Sequence, residues 1–290
     1  MTKVAILGAG VIAKSMAATL RGMAAAGENV CPYAVASRNM GKAKLFAQEE
    51  GFQKAYGSYE AMLKDDQVDL VYVATPHAMH AEHMKACIEA GKPILCEKAF
   101  TGNARQAREV LALAEEKKVF VTEAIWTRYQ PARQMVNQLI AEGAIGTPRL
   151  LTSNLCYEMM HKERILRPEL AGGALLDIGV YTLNFAAMVF GTDYTKMDSS
   201  VVMFPSGVDQ TENITLQYAD GRMAFLTSSA MVTSNRRCWV YGSEGAILVD
   251  NVNNPQVITL YKDPRKEPVE VFPVPKQITG YEYEVRACMR

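Results

Sequence analysis

The chain lacks paired cysteines, a charge excess of either sign and any long apolar run, and each absence removes a class of function. Its six cysteines, at positions 31, 87, 96, 156, 238 and 288, show no CxxC spacing. That argues against a zinc ribbon or a disulfide framework, and for reduced thiols in a cytoplasmic protein. Thirty-one basic residues balance thirty-one acidic ones, so no net field invites nucleic acid or an anionic membrane as partner. No run of ~18 uninterrupted apolar residues is present, so no transmembrane helix is expected. A strand starting at Lys3 leaves no room for a signal peptide. Repeats and low-complexity tracts are also missing. What is there is an ordinary globular composition, 49% hydrophobic and 21% charged, spread over more residues than the ~100–200 typical of one domain.

Two patterns divide the chain. In the first part, short apolar runs at Val4–Leu7, Tyr33–Ala36, Leu70–Ala74, Ile94–Cys96 and Phe120–Thr122 suit strands covered on both faces. Periodic segments at 11–26, 41–50, 79–90 and 103–117 between them read as helices. Alternation of this kind predicts a parallel sheet with right-handed crossovers, a Rossmann-type α/β domain over 1–124. From Pro148 onward, strand-like segments at 148–157, 200–204, 213–218, 222–231, 237–242, 245–250 and 256–261 are joined by turn pairs such as Asp220-Gly221. One helical stretch, 173–190, interrupts them. The second domain, 125–290, is therefore expected to be α+β with a large, mostly antiparallel sheet.

Gly8-Ala9-Gly10-Val11-Ile12-Ala13 follows the first strand and opens a helix. This is the GxGxxA form of the dinucleotide fingerprint. One glycine serves the tight turn and the next the close approach of a pyrophosphate, while the alanine serves close packing of helix on strand. The second strand then ends in Ser37-Arg38 with no acid beside it. A carboxylate there would bond the ribose hydroxyls of NAD, whereas a guanidinium can pair with a 2′-phosphate. The pattern favours NADP(H), with NAD(H) as the second choice; the plain alternative for Arg38 is a surface residue at a strand end.

Three further sites carry polar chemistry. His77, His80 and His83 cluster after Thr75-Pro76, but their spacing lacks the i,i+4 pair of zinc helices and no acid or cysteine completes a set, so no metal site is expected. Thr75-Pro76-His77 is instead placed at the carboxyl edge of the fourth strand, on the nicotinamide side. Lys98 follows the apolar run Ile94–Cys96 and Glu97, where a strand end meets ligand in open α/β sheets. It can polarise a substrate oxygen, or it can be a solvated lysine. Asp177 and Tyr181, four residues apart on the helix after Gly172-Gly173, share a face. They can serve proton transfer and substrate orientation, or a helix cap and a core contact.

These motifs, in this order, resemble the glucose–fructose oxidoreductase/inositol dehydrogenase (Gfo/Idh/MocA) family over nearly the whole chain. Tyr181 and the run Glu123–Arg128 are most similar to its trans-1,2-dihydrodiol dehydrogenase/D-xylose dehydrogenase (NADP) branch. The resemblance implies Lys98 and Tyr181 as catalytic residues and Asp177 as a substrate-orienting group, with Trp126 and Arg164 also at the substrate. It adds His80, Glu97 and Lys98 to the cofactor set. It further implies a homodimer through the second-domain sheet and a small sugar, polyol or cyclic diol as substrate. The readings kept beside it are an NAD-linked inositol-type dehydrogenase and a non-catalytic nucleotide sensor. Two departures stand out. Ala99 replaces the family's proline after Glu-Lys, which is expected to loosen that loop. The chain also reaches Arg290 just after a helix starting near Tyr281, where relatives run further; exposed apolar surface and lower stability are the expectation.

Overall fold

The structure is a computed structural model that describes residues 1–290. Its strands are β1 (Thr2–Leu7), β2 (Val30–Ala36), β3 (Lys54–Tyr56), β4 (Leu70–Val73), β5 (Ile94–Glu97), β6 (Val121–Ala124), β7 (Pro148–Cys156), β8 (Tyr194–Met203), β9 (Asp209–Tyr218), β10 (Met223–Ser229), β11 (Cys238–Gly242), β12 (Ala246–Val249), β13 (Val257–Tyr261) and β14 (Glu270–Pro273). The helices are α1 (Val11–Ala25), α2 (Met40–Glu50), α3 (Tyr59–Leu63), α4 (His80–Glu89), α5 (Ala104–Lys117), α6 (Pro131–Ala141), α7 (Val180–Phe190) and α8 (Glu282–Cys288). Contacts divide them into one unit of Met1–Trp126 with Gln277–Arg290, and a second of Thr127–Lys276.

The first unit is a doubly wound parallel sheet in the order β3-β2-β1-β4-β5-β6. Strand direction of growth reverses between β1 and β4, which is where such sheets take their ligands. Alternate residues of β1 go to opposite faces, as the pleat requires. Val4 and Ile6 join a core with Met16, Leu20 and Met23 of α1, while Ala5 and Leu7 join another with Met84, Cys87 and Val110 of α4 and α5. Burial on both faces explains why these strands read as continuous apolar runs.

The expectation that the second domain extends to residue 290 is corrected here. Residues 277–290 pack with the first unit because several contacts hold them there. Tyr281 stacks on Trp126 with ring centroids 4.4 Å apart, and Val285 enters the α1 core. Arg286 pairs with Glu28 through two hydrogen bonds of 2.7 and 2.9 Å. Glu282 accepts from the amides of Ile278, Thr279 and Gly280. The helix expected near Tyr281 is thus docked rather than left as bare apolar surface.

The second unit is an eight-stranded sheet, β14-β13-β12-β11-β7-β10-β9-β8, antiparallel throughout except for the β7/β10 pair. The expected α+β class is correct. Pro168–Phe190 is long and apolar enough by composition to cross a membrane, although Glu169 and Asp177 interrupt its apolar run. The structure breaks it into a 3-10 turn, a π-helical turn and the eleven-residue α7. Eleven residues rise only ~16 Å, about half a bilayer core, and α7 buries Phe185, Ala186 and Phe190.

Candidate active site

In the first unit, the turn from β1 into α1 has the conformation its glycines predict. Gly8 has φ +110°, and a Cβ on it would come within 2.7 Å of the Ala74 carbonyl oxygen. A Cβ on Gly10 would meet nothing within 4 Å. Gly10 is the N-cap of α1, which has neither a side-chain cap nor an acid in its first turn. Its leading N–H groups therefore face open space with the positive end of the helix behind them. This cradle fits the pyrophosphate of a dinucleotide, with Ala9, Val11 and Ile12 around it. Ala13 is wholly buried, as close packing of α1 on the sheet needs.

At the end of β2, Ser37 is buried and its Oγ lies 3.4 Å from the Asn39 amide that donates to it. Arg38 is exposed and no carboxylate pairs with it. Its charge acts on Tyr59 and His83, whose rings meet edge to face at 4.8 Å. Thr75 Oγ1 lies 2.9 Å from His83 Nδ1. The carboxyl ends of β2 and β4 thus form one polar margin. His77 is mostly buried and meets His80 edge to face.

Two of the residues assigned to the cofactor have different work. His80 is wholly buried, with Nδ1 2.8 Å from the Ala99 carbonyl and Nε2 2.8 Å from the Thr75 carbonyl. Burial lowers its pKa, against the pull of those carbonyls toward the charged form. Each nitrogen faces a carbonyl, and the neutral ring that burial favours donates to one of the two, so His80 packs between both loops. Glu97 is likewise turned inward. It accepts from the Tyr72 hydroxyl and, through Oε2 at 3.1 Å, from the Lys98 amide. Burial pushes its carboxyl up to about 7, although the Lys98 charge and the Tyr72 bond pull the other way.

Lys98 itself is half-buried at the end of β5, and the Lys98–Ala99 peptide is cis. Its loop is held at three successive residues. Glu97 holds the Lys98 amide, His80 the Ala99 carbonyl, and Glu123 Oε1 accepts from the Phe100 amide at 2.8 Å. Side chains from β5, α4 and β6 thus hold the loop in which Ala99 stands where proline was expected. Trp126 is buried with one face against Tyr281, which spends that face on packing rather than on substrate.

In the second unit, the candidate residues lie on a tightly folded segment. Gly172 could not carry a side chain, since a Cβ would lie 2.5–2.6 Å from the carbonyl oxygens of Ile165 and Arg164. Gly173 has φ +99°, and its Cβ would overlap the Asp209 carboxylate. Leu175–Gly179 then forms a π-helical turn before the α-helix proper starts at Val180. Asp177 lies within this π-helical turn and Tyr181 on the first turn of α7, so the helix that carries them is irregular where a regular one was expected. Both side chains are buried. Arg164 donates from Nη2 to Asp177 Oδ1 at 2.9 Å, so the structure brings together two residues thirteen apart in sequence.

Behind this turn stand two acids that sequence reasoning missed. Asp209 Oδ2 accepts from the Leu175 amide at 2.5 Å. Glu212 accepts from Ser228 Oγ and lies where a Gly179 Cβ would come within 2.7 Å of its Oε1. Burial pushes the Glu212 carboxyl up to about 8, with Asp209 adding repulsion and the Ser228 bond opposing it. Their partners lie 34 residues away for Asp209 and 16 for Glu212, so no local pattern exposes them; the only signal is two acids on one strand.

Comparison with known proteins agrees with this geometry. Residues 2–125 match the oxidoreductase family with an NAD-binding Rossmann fold, and residues 133–248 match the GFO/IDH/MocA C-terminal domain. The trans-1,2-dihydrobenzene-1,2-diol dehydrogenase of Xenopus tropicalis is 34% identical over 99% of this chain and 89% of its own length. The human enzyme of that name is also 34% identical, over 98% and 87%. Among solved structures, a 3-ketoreductase from Actinomadura kijaniata, crystallised with NADP and TDP-benzene, superposes with a TM-score of 0.87 at 26% identity, covering 99% of this chain and 89% of that one. That enzyme was also crystallised as a Lys-to-Ala and a Tyr-to-Phe variant. Relatives named dehydrogenase and reductase at this coverage answer the alternative of a non-catalytic sensor. The chain is an oxidoreductase of the Gfo/Idh/MocA family.

Proposed function

We propose that the protein is an NADP-dependent oxidoreductase that interconverts CH–OH and C=O in a small sugar, polyol or cyclic diol. The observation that carries the cofactor choice is the end of β2, where Ser37 and an unpaired, exposed Arg38 stand without a carboxylate. The dihydrodiol dehydrogenases among the relatives and the NADP-bound ketoreductase support the same reading. On this proposal the α1 cradle takes the pyrophosphate, Arg38 the 2′-phosphate, and Thr75, Pro76 and His77 border the nicotinamide. The bound nicotinamide would supply hydride exchange at its C4. Tyr181 Oη takes the proton from the substrate hydroxyl in oxidation and returns it in reduction. Lys98 Nζ donates to a substrate oxygen and stabilises negative charge that develops on it. Asp177, oriented by Arg164, accepts from a second substrate hydroxyl.

Replacing Lys98 by Ala tests this assignment. Turnover is expected to fall by about a hundredfold or more, with NADPH affinity little changed. Unchanged turnover would remove Lys98 from the reaction.

A further inference from the structure

The start of α6 holds a buried charge that the proposed chemistry does not use. Arg133, on the first turn of this eleven-residue helix, is only 5% exposed, and its Nε and Nη2 have no partner. Arginine keeps its charge in proteins and is almost never buried without a counter-charge. None is supplied here. Burial pulls Arg133 down to about 9, and the like charge of Arg128 adds to that fall. The guanidinium carbon lies 5.4 Å from the centre of the Phe185 ring. A cation–π contact yields ~0.5–2 kcal/mol, against a cost of several kcal/mol for taking the ion out of water.

Two independent features of the same turn add donors. Gln130, the N-cap residue, is wholly buried, and neither its amide nitrogen nor its amide oxygen has a partner. Its side chain does not cap the helix, and no acid lies in the first turn. The positive end of the helix dipole is therefore uncompensated, and a basic residue sits on it, where an acidic one is normally favoured. A guanidinium and a primary-amide nitrogen, both short of acceptors and both at the positive end of a helix, are a set that an anion satisfies.

We propose that the first turn of α6 binds a small monovalent anion of halide size, held by the Arg133 guanidinium and the Gln130 amide nitrogen. One negative charge neutralises one guanidinium. A spherical ion accepts N–H donors from any direction. A phosphate would bring more charge than one guanidinium balances. The anion belongs to the second unit alone and acts on its stability, apart from the chemistry proposed for Lys98 and Tyr181.

The test is thermal unfolding of the whole chain at constant ionic strength, with sodium gluconate replaced stepwise by sodium chloride. The midpoint is expected to rise by about 2–4 °C and to saturate, as for a ligand that binds only the folded state. Arg133→Met keeps an apolar stem against Phe185 and removes the charge; its midpoint is expected to ignore the choice of anion. Should that variant fail to fold, bromide-soaked crystals of the unaltered protein decide, with an anomalous peak within hydrogen-bonding reach of Arg133 as the expected result. Equal midpoints in both salts with no bromide peak would overturn the proposal and assign the space to ordered water. A chloride effect retained in Arg133→Met with no peak at the site would overturn it as well.

Discussion

Glu284 shows how single residues can set the limits of this fold. It lies on α8, wholly buried, with no partner on either carboxylate oxygen. Burial raises its pKa well above the ordinary value, and the charges of Glu97 and Glu123 raise it further. A carboxyl raised in the folded state binds its proton more tightly there than in the unfolded chain. Its stabilising contribution is complete below the unfolded pKa of ~4.3 and is lost as pH rises toward the folded value. For Glu97, raised to about 7, the window runs from about 4.5 to 7, and the loss is on the order of 3 kcal/mol. Denaturant midpoints measured from pH 5 to pH 8 should therefore fall with pH in the unaltered protein. Glu284→Gln should flatten that slope and gain about 1–3 kcal/mol at pH 8. A slope that Glu284→Gln leaves as steep as before would show that this carboxyl is not held neutral. Lys98 was legible in the sequence from its place after an apolar run. Tyr72, Glu97, Glu123 and His80, which hold its loop, were not legible as a group, because they gather from four elements.

The element that matters most to the proposed chemistry is the π-helical turn Leu175–Gly179 and its backing strand β9. Three glycines make room for carbonyls and carboxylates that would otherwise collide with side chains. Asp209 holds the Leu175 amide, and Glu212 supports Gly179. Gly173→Ala adds a methyl group where the Asp209 carboxylate lies and at a φ that alanine resists, so a loss of at least about 1–2 kcal/mol is expected. Asp209→Ala strands the Leu175 N–H and should cost about 1–3 kcal/mol. If the turn positions Asp177 and Tyr181, Asp209→Ala also lowers kcat while the NADPH dissociation constant stays put. An equal loss in both, or in neither, would deny β9 that role. The helix itself was legible from its apolar run, as was its Gly-Gly start. Its π character was not, since residue types alone do not distinguish i→i+4 from i→i+5 bonding.

At the scale of the whole molecule, strict alternation of apolar runs and periodic segments made the parallel sheet legible, and turn pairs such as Asp220-Gly221 did the same for the antiparallel one. The return of residues 277–290 to the first unit was hidden, because it depends on contacts such as Arg286 with Glu28 that span 258 positions. Edge strand β8 is exposed along its whole length, including Met197, Val201, Val202 and Met203. A long apolar edge invites pairing. We propose a homodimer through this sheet; light scattering should give twice the 32.0 kDa chain mass, and Val201→Lys with Met203→Lys should return it to one. A monomer at micromolar concentration in the unaltered protein would remove the proposal.

The central claim, an NADP-dependent oxidoreductase, is tested most directly by fluorescence titration with NADPH and NADH, followed by a panel of sugars, polyols and dihydrodiols in the same cuvette. The account predicts tighter binding of NADPH than of NADH, a preference lost in Arg38→Asp, and nucleotide oxidation or reduction with at least one member of the panel. Equal affinity for the two nucleotides, unchanged by Arg38→Asp, would contradict it.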